Sequence, residues 1–414
     1  MTFPRLTGSV LSLLVLATFL GCDSAEDAPY ETLTWDSAGV TVVENRVSLS
    51  DLGTFAEFDP TPLVEIGVES GNGAQEFGRI SEARLVGEGR ILIADSQGRV
   101  IREFALHGSL VWSFGRGGEG PWEFRGLSEV EVTEGDSVRV FDRSNRRITV
   151  IDPDGQPIRT TPVEPVREKS PSSLQFTATG LLILPLSAPS NNPPMSSELE
   201  LTRDSLVLLL VDPEVGQLAE FGTFLRSEAL QTSSQQGGMY QVFSMPIQFG
   251  RSTDWASARD RVFIGTNDSF EILAFDNSGT LKRVIRVPSL TLPLTDEEIE
   301  HQRAFLISDR GSTPEAHRRA DEMLSRDLLP PVRPAFSQLM HDGDGRLWVG
   351  EYSPRPEVRS LWYVFRETGE LLGSVRLPPG SVLHDVAGDL VLIQPPHPLD
   401  IPIVRVHELL VGEH

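Results

Sequence analysis

"GNGAQEFGRISEARLVGEGRILIADSQGRVIREFALHGSLVWSF", residues 71–114, and "GEGPWEFRGLSEVEVTEGDSVRVFDRSNRRITVIDPDGQPIRTT", residues 118–161, are two copies of one pattern. Laid over each other without a gap, they pair Phe77 with Phe124, Asp95 with Asp142, and Gly108 with Gly155. Each copy holds runs that alternate apolar and polar residues or are rich in β-branched residues, such as "RILIAD", "VIREFAL" and "SLVWSF". Gly, Asp and Asn turns separate them, which gives about four short strands per copy. A four-stranded unit recurring every 40 to 50 residues or so is the sequence signature of a β-propeller blade.

The same register extends along the chain. "SSLQFTATGLLILPLS" opens a third unit near Ser172, "RSTDWASARDRVFIGTNDSFEILAFDNSGTLKRVIRV" a fourth near Arg251, and "AFSQLMHDGDGRLWVGEY" a fifth near Ala335. "SVLHDVAGDLVLIQPPHPLDIPIVRVHELLV" completes a sixth. The expectation is an all-β chain, a six-bladed β-propeller over residues 34–414. The strand-like segment "TWDSAGVTVVENRV", residues 34–47, has no unit of its own and is expected to pair with the final blade, mixing the two ends of the chain and removing an exposed sheet edge.

Two stretches break the spacing. Residues 185–205, rich in Pro, Ser and Asn, read as a long surface loop in the third unit. The stretch from about 291 to 334, between the fourth and fifth units, reads as two helices, 295–307 and 314–328. Thr295 with Glu298 forms a capping box, Pro314 opens the second helix, and Pro330 with Pro331 stops it. Such a pair either roofs the central pocket or pads the rim.

The repeat resembles the NHL type, on "GRGGEGPWEFRGLSEVEVTEGDSVRVFDRSNRRITVIDPDG". That family's pattern runs from a glycine-rich link through a Phe to an inner strand, an Asp-Asn-Arg turn, and a strand ending in Asp-x-x-Gly. "HDGDGRLWVGEY" is similar to blades of bacterial six-bladed propeller lipoproteins. The resemblance implies the fold and no single activity, since such propellers serve as scaffolds, ligand binders and enzymes.

"MTFPRLTGSVLSLLVLATFLGCDSAEDAP" carries one basic residue, Arg5, before an apolar segment too short for a stable membrane span, and reads as an export signal over residues 1–21. "TFLGC" resembles a bacterial lipobox, which implies acylation of Cys22, the only cysteine, with residues 22–33 as the tether. The chain is then held at a membrane by its N-terminal lipid, facing the periplasm or the cell surface, without an internal disulfide. A formal charge of −23 argues against a hold on nucleic acid or anionic lipid, which needs clustered Lys and Arg. The expected form is a monomer that binds a protein or a small molecule.

Gly115, Gly117 and Gly120 fit G-x-G-x-x-G, but a phosphate cradle needs a helix to begin at the glycines. Pro121, Trp122 and a strand-like run follow instead, so the glycines are read as a crossover between units, with Phe77 and Phe124 as plugs between blades. Ser81, Ser128, Ser172, Ser252 and Ser337 fall at one inner-strand position and are expected to satisfy backbone groups. The following inner positions place Glu82, Arg84, Glu129, Glu131, Gln175 and Gln338 around the axis as candidate ligand-binding residues. Glu82 and Glu129 are the candidate metal ligands, with Ca²⁺ the ion suited to oxygen donors; a salt-bridged channel with no ligand is the plainer alternative. Asp95, Asp142 and the "HDGDG" run are expected to hold turns, and His384, His397 and His407 lack metal-binding spacing. The functional expectation is a binding module, with a metal-dependent hydrolase or lyase as the alternative.

Overall fold

The structure is a computed structural model that describes residues 30–69, 71, 73–87, 89–133, 135–171, 173–187, 200–236 and 239–411. The export signal, Cys22 and Ser172 lie outside the described residues. Among those described, six sheets have four or more strands. The first sheet comprises Ile80–Val86, Arg90–Asp95, Val100–Ala105 and Leu110–Phe114, and the second Leu127–Val132, Val138–Asp142, Arg147–Ile151 and Pro157–Pro162. The third comprises Gln175–Phe176, Leu182–Ser187, Ser205–Asp212 and Gly216–Leu225. Thr253–Ser257, Arg261–Thr266, Glu271–Asp276 and Leu281–Arg286 form the body of the fourth. The fifth comprises Gln338–His341, Leu347–Gly350, Leu361–Phe365 and Leu371–Arg376, and the sixth is built on Val382–Ala387, Leu390–Gln394 and Val404–Val411.

Each sheet is apolar on both faces, and each face is buried by the next sheet. Val86, Leu92 and Ile101 of the first pack on Leu127, Val130 and Val138 of the second. Phe141 and Ile148 of the second meet Phe176 and Leu182 of the third. Ile183 and Leu208 then meet Val262 and Ile264 of the fourth, and Phe263 and Phe270 meet Leu347 and Tyr363 of the fifth. Trp348 and Trp362 cover Val386 and Val391 of the sixth, whose Leu392 and Val406 return to Ile91 and Phe104 of the first. The cycle closes, which is the architecture of a β-propeller.

Closure does use the beginning of the chain, but not the expected segment. Val64–Ile66 and Ala56–Phe58 pair with the last strand, Val404–Val411. Residues 34–47 instead form most of a hairpin, Glu31–Ser37 with Val40–Arg46, whose second strand runs parallel to Leu281–Arg286 and widens the fourth sheet. The contacts that hold it there are long-range. Val42 and Val43 are buried there, and the buried Asn45 amide donates to the Gly369 carbonyl at 2.9 Å and accepts from the Leu371 N–H at 2.8 Å. That anchors the hairpin between the fourth and fifth sheets. The strand begins at Glu31, inside the stretch read as tether.

The helices fall where the capping signals put them, α1 at Asp296–Asp309 and α2 at Pro314–Met323. The Glu298 N–H donates to the Thr295 hydroxyl at 3.2 Å, and the Thr295 N–H donates to the Glu298 carboxylate at 2.9 Å. α2 stops five residues before the expected 328, and turns at Ser325–Leu328 and Arg326–Leu329 carry the chain on. Ile299, Leu306, Ala320 and Leu324 pack on Phe249 and Leu329, with Tyr352 against them. Part of the expected 185–205 loop is strand at both ends, Leu182–Ser187 and Glu200–Thr202. The latter joins a hairpin, Ala229–Gln236 with Met239–Pro246, in a separate three-stranded sheet. Sequence reading passed over that hairpin, although Gly237-Gly238 between two alternating runs is a hairpin signal.

The glycine-rich stretch is a crossover, as its context indicated. Gly115 turns at φ 96° directly after Phe114, where a side chain would meet the Phe124 ring. Phe124 is fully buried and donates its N–H to the Arg116 carbonyl at 2.7 Å before the next strand starts at Leu127. No helix starts there, so nothing presents free N–H groups to a phosphate.

The repeated aspartates hold turns. Asp142, fully buried, accepts the N–H groups of Arg125, Gly126, Ser144 and Asn145 and the Asn145 side-chain amide. Asp95 accepts those of Gly78, Arg79 and Gly98. Removing the Asp142 carboxylate strands several buried donors, each worth on the order of 1–3 kcal/mol. Asp142→Ala should therefore lower unfolding stability by about 3 kcal/mol in a denaturant titration, while Asp154→Ala, at an exposed carboxylate, should change it by less than about 0.5 kcal/mol.

Candidate functional site

The innermost strand of each sheet has one sheet neighbour, so its other edge is free to bond across to the adjacent sheet. The Asp385 carboxylate of the sixth sheet accepts the Leu85 N–H of the first at 2.8 Å, and Asp254 of the fourth accepts the Leu339 N–H of the fifth at 2.6 Å. The Ser257 hydroxyl donates to the Phe176 carbonyl at 2.9 Å, and the Gly343 N–H to the Val386 carbonyl at 3.2 Å. Between these strands lies a cavity of about 410 Å³ with lining residues from all six large sheets. Arg84, Glu131, Gln175, Ser257, Met340 and Asp385 represent one each.

The cavity lies toward the C-terminal ends of the inner strands. Phe249 and Tyr352, on which α1 and α2 dock, lie at the opposite ends, and no residue of either helix lines the cavity. The helices pad the molecule away from this cavity.

Arg84 is the hub. Its Nη1 lies 2.9 Å from the Glu82 carboxylate and donates to the His384 carbonyl at 3.1 Å, and its Nε lies 3.8 Å from Glu131. Glu129 and Asp385 add their negative fields to the same guanidinium. Burial alone would lower the Arg84 pKa, but the surrounding carboxylates outweigh it and raise it. One cation faces four carboxyl groups, all of them partly buried. Burial raises Glu82 and Asp385. Glu129 is pushed well up by burial and by the charge of Glu82. Burial takes Glu131 up to about 7. Asp254, between the fourth and fifth sheets, rises to about 6 by burial, and burial takes His384 down to about 4. The Gln175 Oε1 is buried without a hydrogen-bond partner.

Five of the six candidate residues, Glu82, Arg84, Glu129, Glu131 and Gln175, thus belong to the cluster or its cavity. Gln338 lies elsewhere, beside a separate cavity of about 100 Å³ bordered by Glu351 and Trp362. Asp385 and Asp254 were missed, and His384 was weighed only as a metal ligand. Asp385 follows a register shift between Leu383 and Asp385, in a unit for which the repeat supplied no aligned inner position. Three of the four aligned serines among the described residues satisfy backbone, while Ser252 accepts the Asn267 side-chain amide at 3.3 Å. Ser81, Ser128 and Ser337 donate to the carbonyls of Ala94, Phe141 and Gly350 at 3.3, 3.3 and 3.1 Å.

The cluster does not fit Ca²⁺. That ion takes about six to eight oxygens, whereas the Arg84 guanidinium already stands among the carboxylates, and among the described residues no group of three or more His, Cys, Asp and Glu is arranged to hold a metal ion. In the "HDGDG" turn, Asp342 accepts from the Asp344 and Arg346 N–H groups and from the Trp348 indole at 2.7 Å, so its carboxylate is committed. His384 contacts Gln394, and His407 contacts the Asp59 carbonyl. His397 accepts from the Leu399 N–H.

No family model matches the chain, and no curated protein matches it. Among solved structures it is similar to a Bacteroides fragilis protein described as exported, at 10% identity over 90% of this chain and 100% of that one, with a TM-score of 0.49. Virginiamycin B lyase from Staphylococcus aureus gives 8% identity over 84% and 99% of the two chains and a TM-score of 0.38. A gluconolactonase from Xanthomonas campestris gives 16% over 86% and 98%, and 0.37. Likenesses this distant assign no activity. No helix among the described residues is long and apolar enough to cross a membrane.

Because the Glu131 carboxyl is raised on folding, its protonated form contributes stability that is complete below its ordinary pKa of 4.5 and is lost as pH rises through about 7. Glu131→Gln keeps the neutral shape at every pH. It should match the parent at pH 4.5 and exceed it by about 1–3 kcal/mol at pH 8, measured by denaturant unfolding at both pH values.

Proposed function

We propose that this chain is an exported, lipid-anchored, six-bladed β-propeller that binds a small polar solute in its central channel. Cys22 is the lipid-bearing residue, residues 23–30 link it to the first strand, and the helical insertion between blades four and five lies away from the binding mouth. The protein acts as a monomer. The observation that carries the reading is the cavity of about 410 Å³ lined by Arg84, Glu131 and Asp385, with Glu82 and Glu129 adding their charges to the same guanidinium. A ligand that offers positive charge or several hydrogen-bond donors, an amine or a sugar, supplies what the cluster lacks and allows Glu129 and Glu131 to ionise. Gln175 adds an acceptor without a partner. The lipobox-like "TFLGC" supports the anchor.

The test uses the full chain with Cys22→Ser, which should move the protein from the membrane fraction to the soluble one. Melting is followed at pH 8 with putrescine and with glucose. One of them is expected to raise the midpoint saturably, and the effect should vanish in a Glu129→Gln, Glu131→Gln double variant. If neither ligand raises the midpoint, or the double variant responds equally, the channel is not the binding site.

A further inference from the structure

A second cavity, of about 200 Å³, lies between the second and third sheets and is separate from the axial one. Arg139 and Arg159 enter it from the second sheet, and Gly180, Asp212 and Glu214 border it from turns of the third. The charges are arranged unevenly. Arg159 pairs with Glu214 at 2.5 Å. Asp212 uses Oδ1 to accept the Glu214 and Val215 N–H groups at 2.7 and 3.2 Å, and its Oδ2 accepts nothing among the described residues.

Arg139 makes no hydrogen bond or ion pair among the described residues. Its direct cross-strand neighbour is Glu131, the natural partner on one face of an antiparallel pair, but that carboxylate turns toward Arg84 at 3.8 Å. The half-buried guanidinium lies instead against Gly180, at φ 86°, in a place that a methyl group on that residue would fill. Burial, then the neighbouring charge of Arg159, depresses its pKa, as expected of a cation short of negative partners. An unpaired, partly desolvated guanidinium is costly to keep unless something binds it.

We propose that this cavity is a second ligand site, for a small carboxylate that carries a hydrogen-bond donor beside its carboxyl group. The carboxylate pairs with the planar fork of Arg139, which offers two parallel N–H donors. The ligand's hydroxyl or ammonium donates to the open Asp212 Oδ2. Ile148, Val150 and Leu181 cover the carbon skeleton. The site is independent of the axial channel, so either can fail without the other.

Propionate, lactate and alanine share one three-carbon skeleton and differ at the second carbon by a hydrogen, a hydroxyl or an ammonium group. Each is titrated calorimetrically into the full chain. Lactate or alanine should bind saturably, with propionate at least about fivefold weaker. Arg139→Gln should weaken binding at least about tenfold, the equivalent of one charged hydrogen bond, and change the melting midpoint little because Arg139 makes no hydrogen bond or ion pair among the described residues. Arg139→Lys, which keeps charge without the fork, should fall between. Asp212→Asn retains the turn-holding oxygen and should erase the preference over propionate. Equal binding by Arg139→Gln, or no saturable binding of any of the three acids at millimolar concentration, overturns the proposal.

Discussion

Every large sheet in this protein is apolar on both faces, and none can bury both alone. Ile91, Ile93 and Phe104 on one side of the first sheet, and Leu92, Ala94 and Ile101 on the other, require two different neighbours. The same demand passes from sheet to sheet until the sixth meets the first through Leu392, Val404 and Val406. The rest of the molecule depends on that cycle. Because burying apolar surface is the dominant favourable term in folding, an open array would leave two such faces in water. The closing interface draws on Val64–Ile66, so the ends of the chain are fastened together at the last step of the circle.

The ring produces a centre with different chemistry. Inner strands have one hydrogen-bonding edge without a sheet partner, and the residues on it must satisfy one another across sheets. Asp254 and Asp385 do this with carboxylates aimed at the N–H groups of Leu339 and Leu85. Glu82, Glu129 and Glu131 crowd the same region around Arg84, with too little positive charge to balance them if all were ionised. Burial raises these carboxyls toward their neutral forms, with Glu131 taken up to about 7. A metal ion would have to compete with a guanidinium already in the middle of its ligands.

Insertions ride on this frame without disturbing it. α1 and α2 have their own small core around Phe249, Ile299 and Leu324, and their caps are satisfied internally at Thr295 and Thr313. They meet the propeller at strand ends remote from the axial cavity. The hairpin Ala229–Gln236 with Met239–Pro246 likewise forms its own sheet with Glu200–Thr202.

The local features were legible in the chain itself. Strand runs, the Asp95 and Asp142 turns, the Thr295–Glu298 box and the crossover at Gly115 each depend on residues close in sequence, whose geometry is set by backbone sterics and short-range hydrogen bonds. The repeat also put Glu82, Arg84, Glu129, Glu131 and Gln175 near one axis, because equivalent positions in a ring face the same way. Pairings at long range were a different matter. Residues 40–46 pair in parallel with Leu281–Arg286 of the fourth sheet, and the buried Asn45 amide reaches the backbone of Gly369 and Leu371 in the fifth, contacts between residues more than 200 positions apart. Asp385 bonds across the closing interface to the Leu85 N–H, and with Glu131 turned toward Arg84, Arg139 lies over Gly180 without a hydrogen bond or ion pair among the described residues. Those outcomes belong to the tertiary structure, since which partner a side chain takes depends on what the closed ring brings within hydrogen-bonding distance.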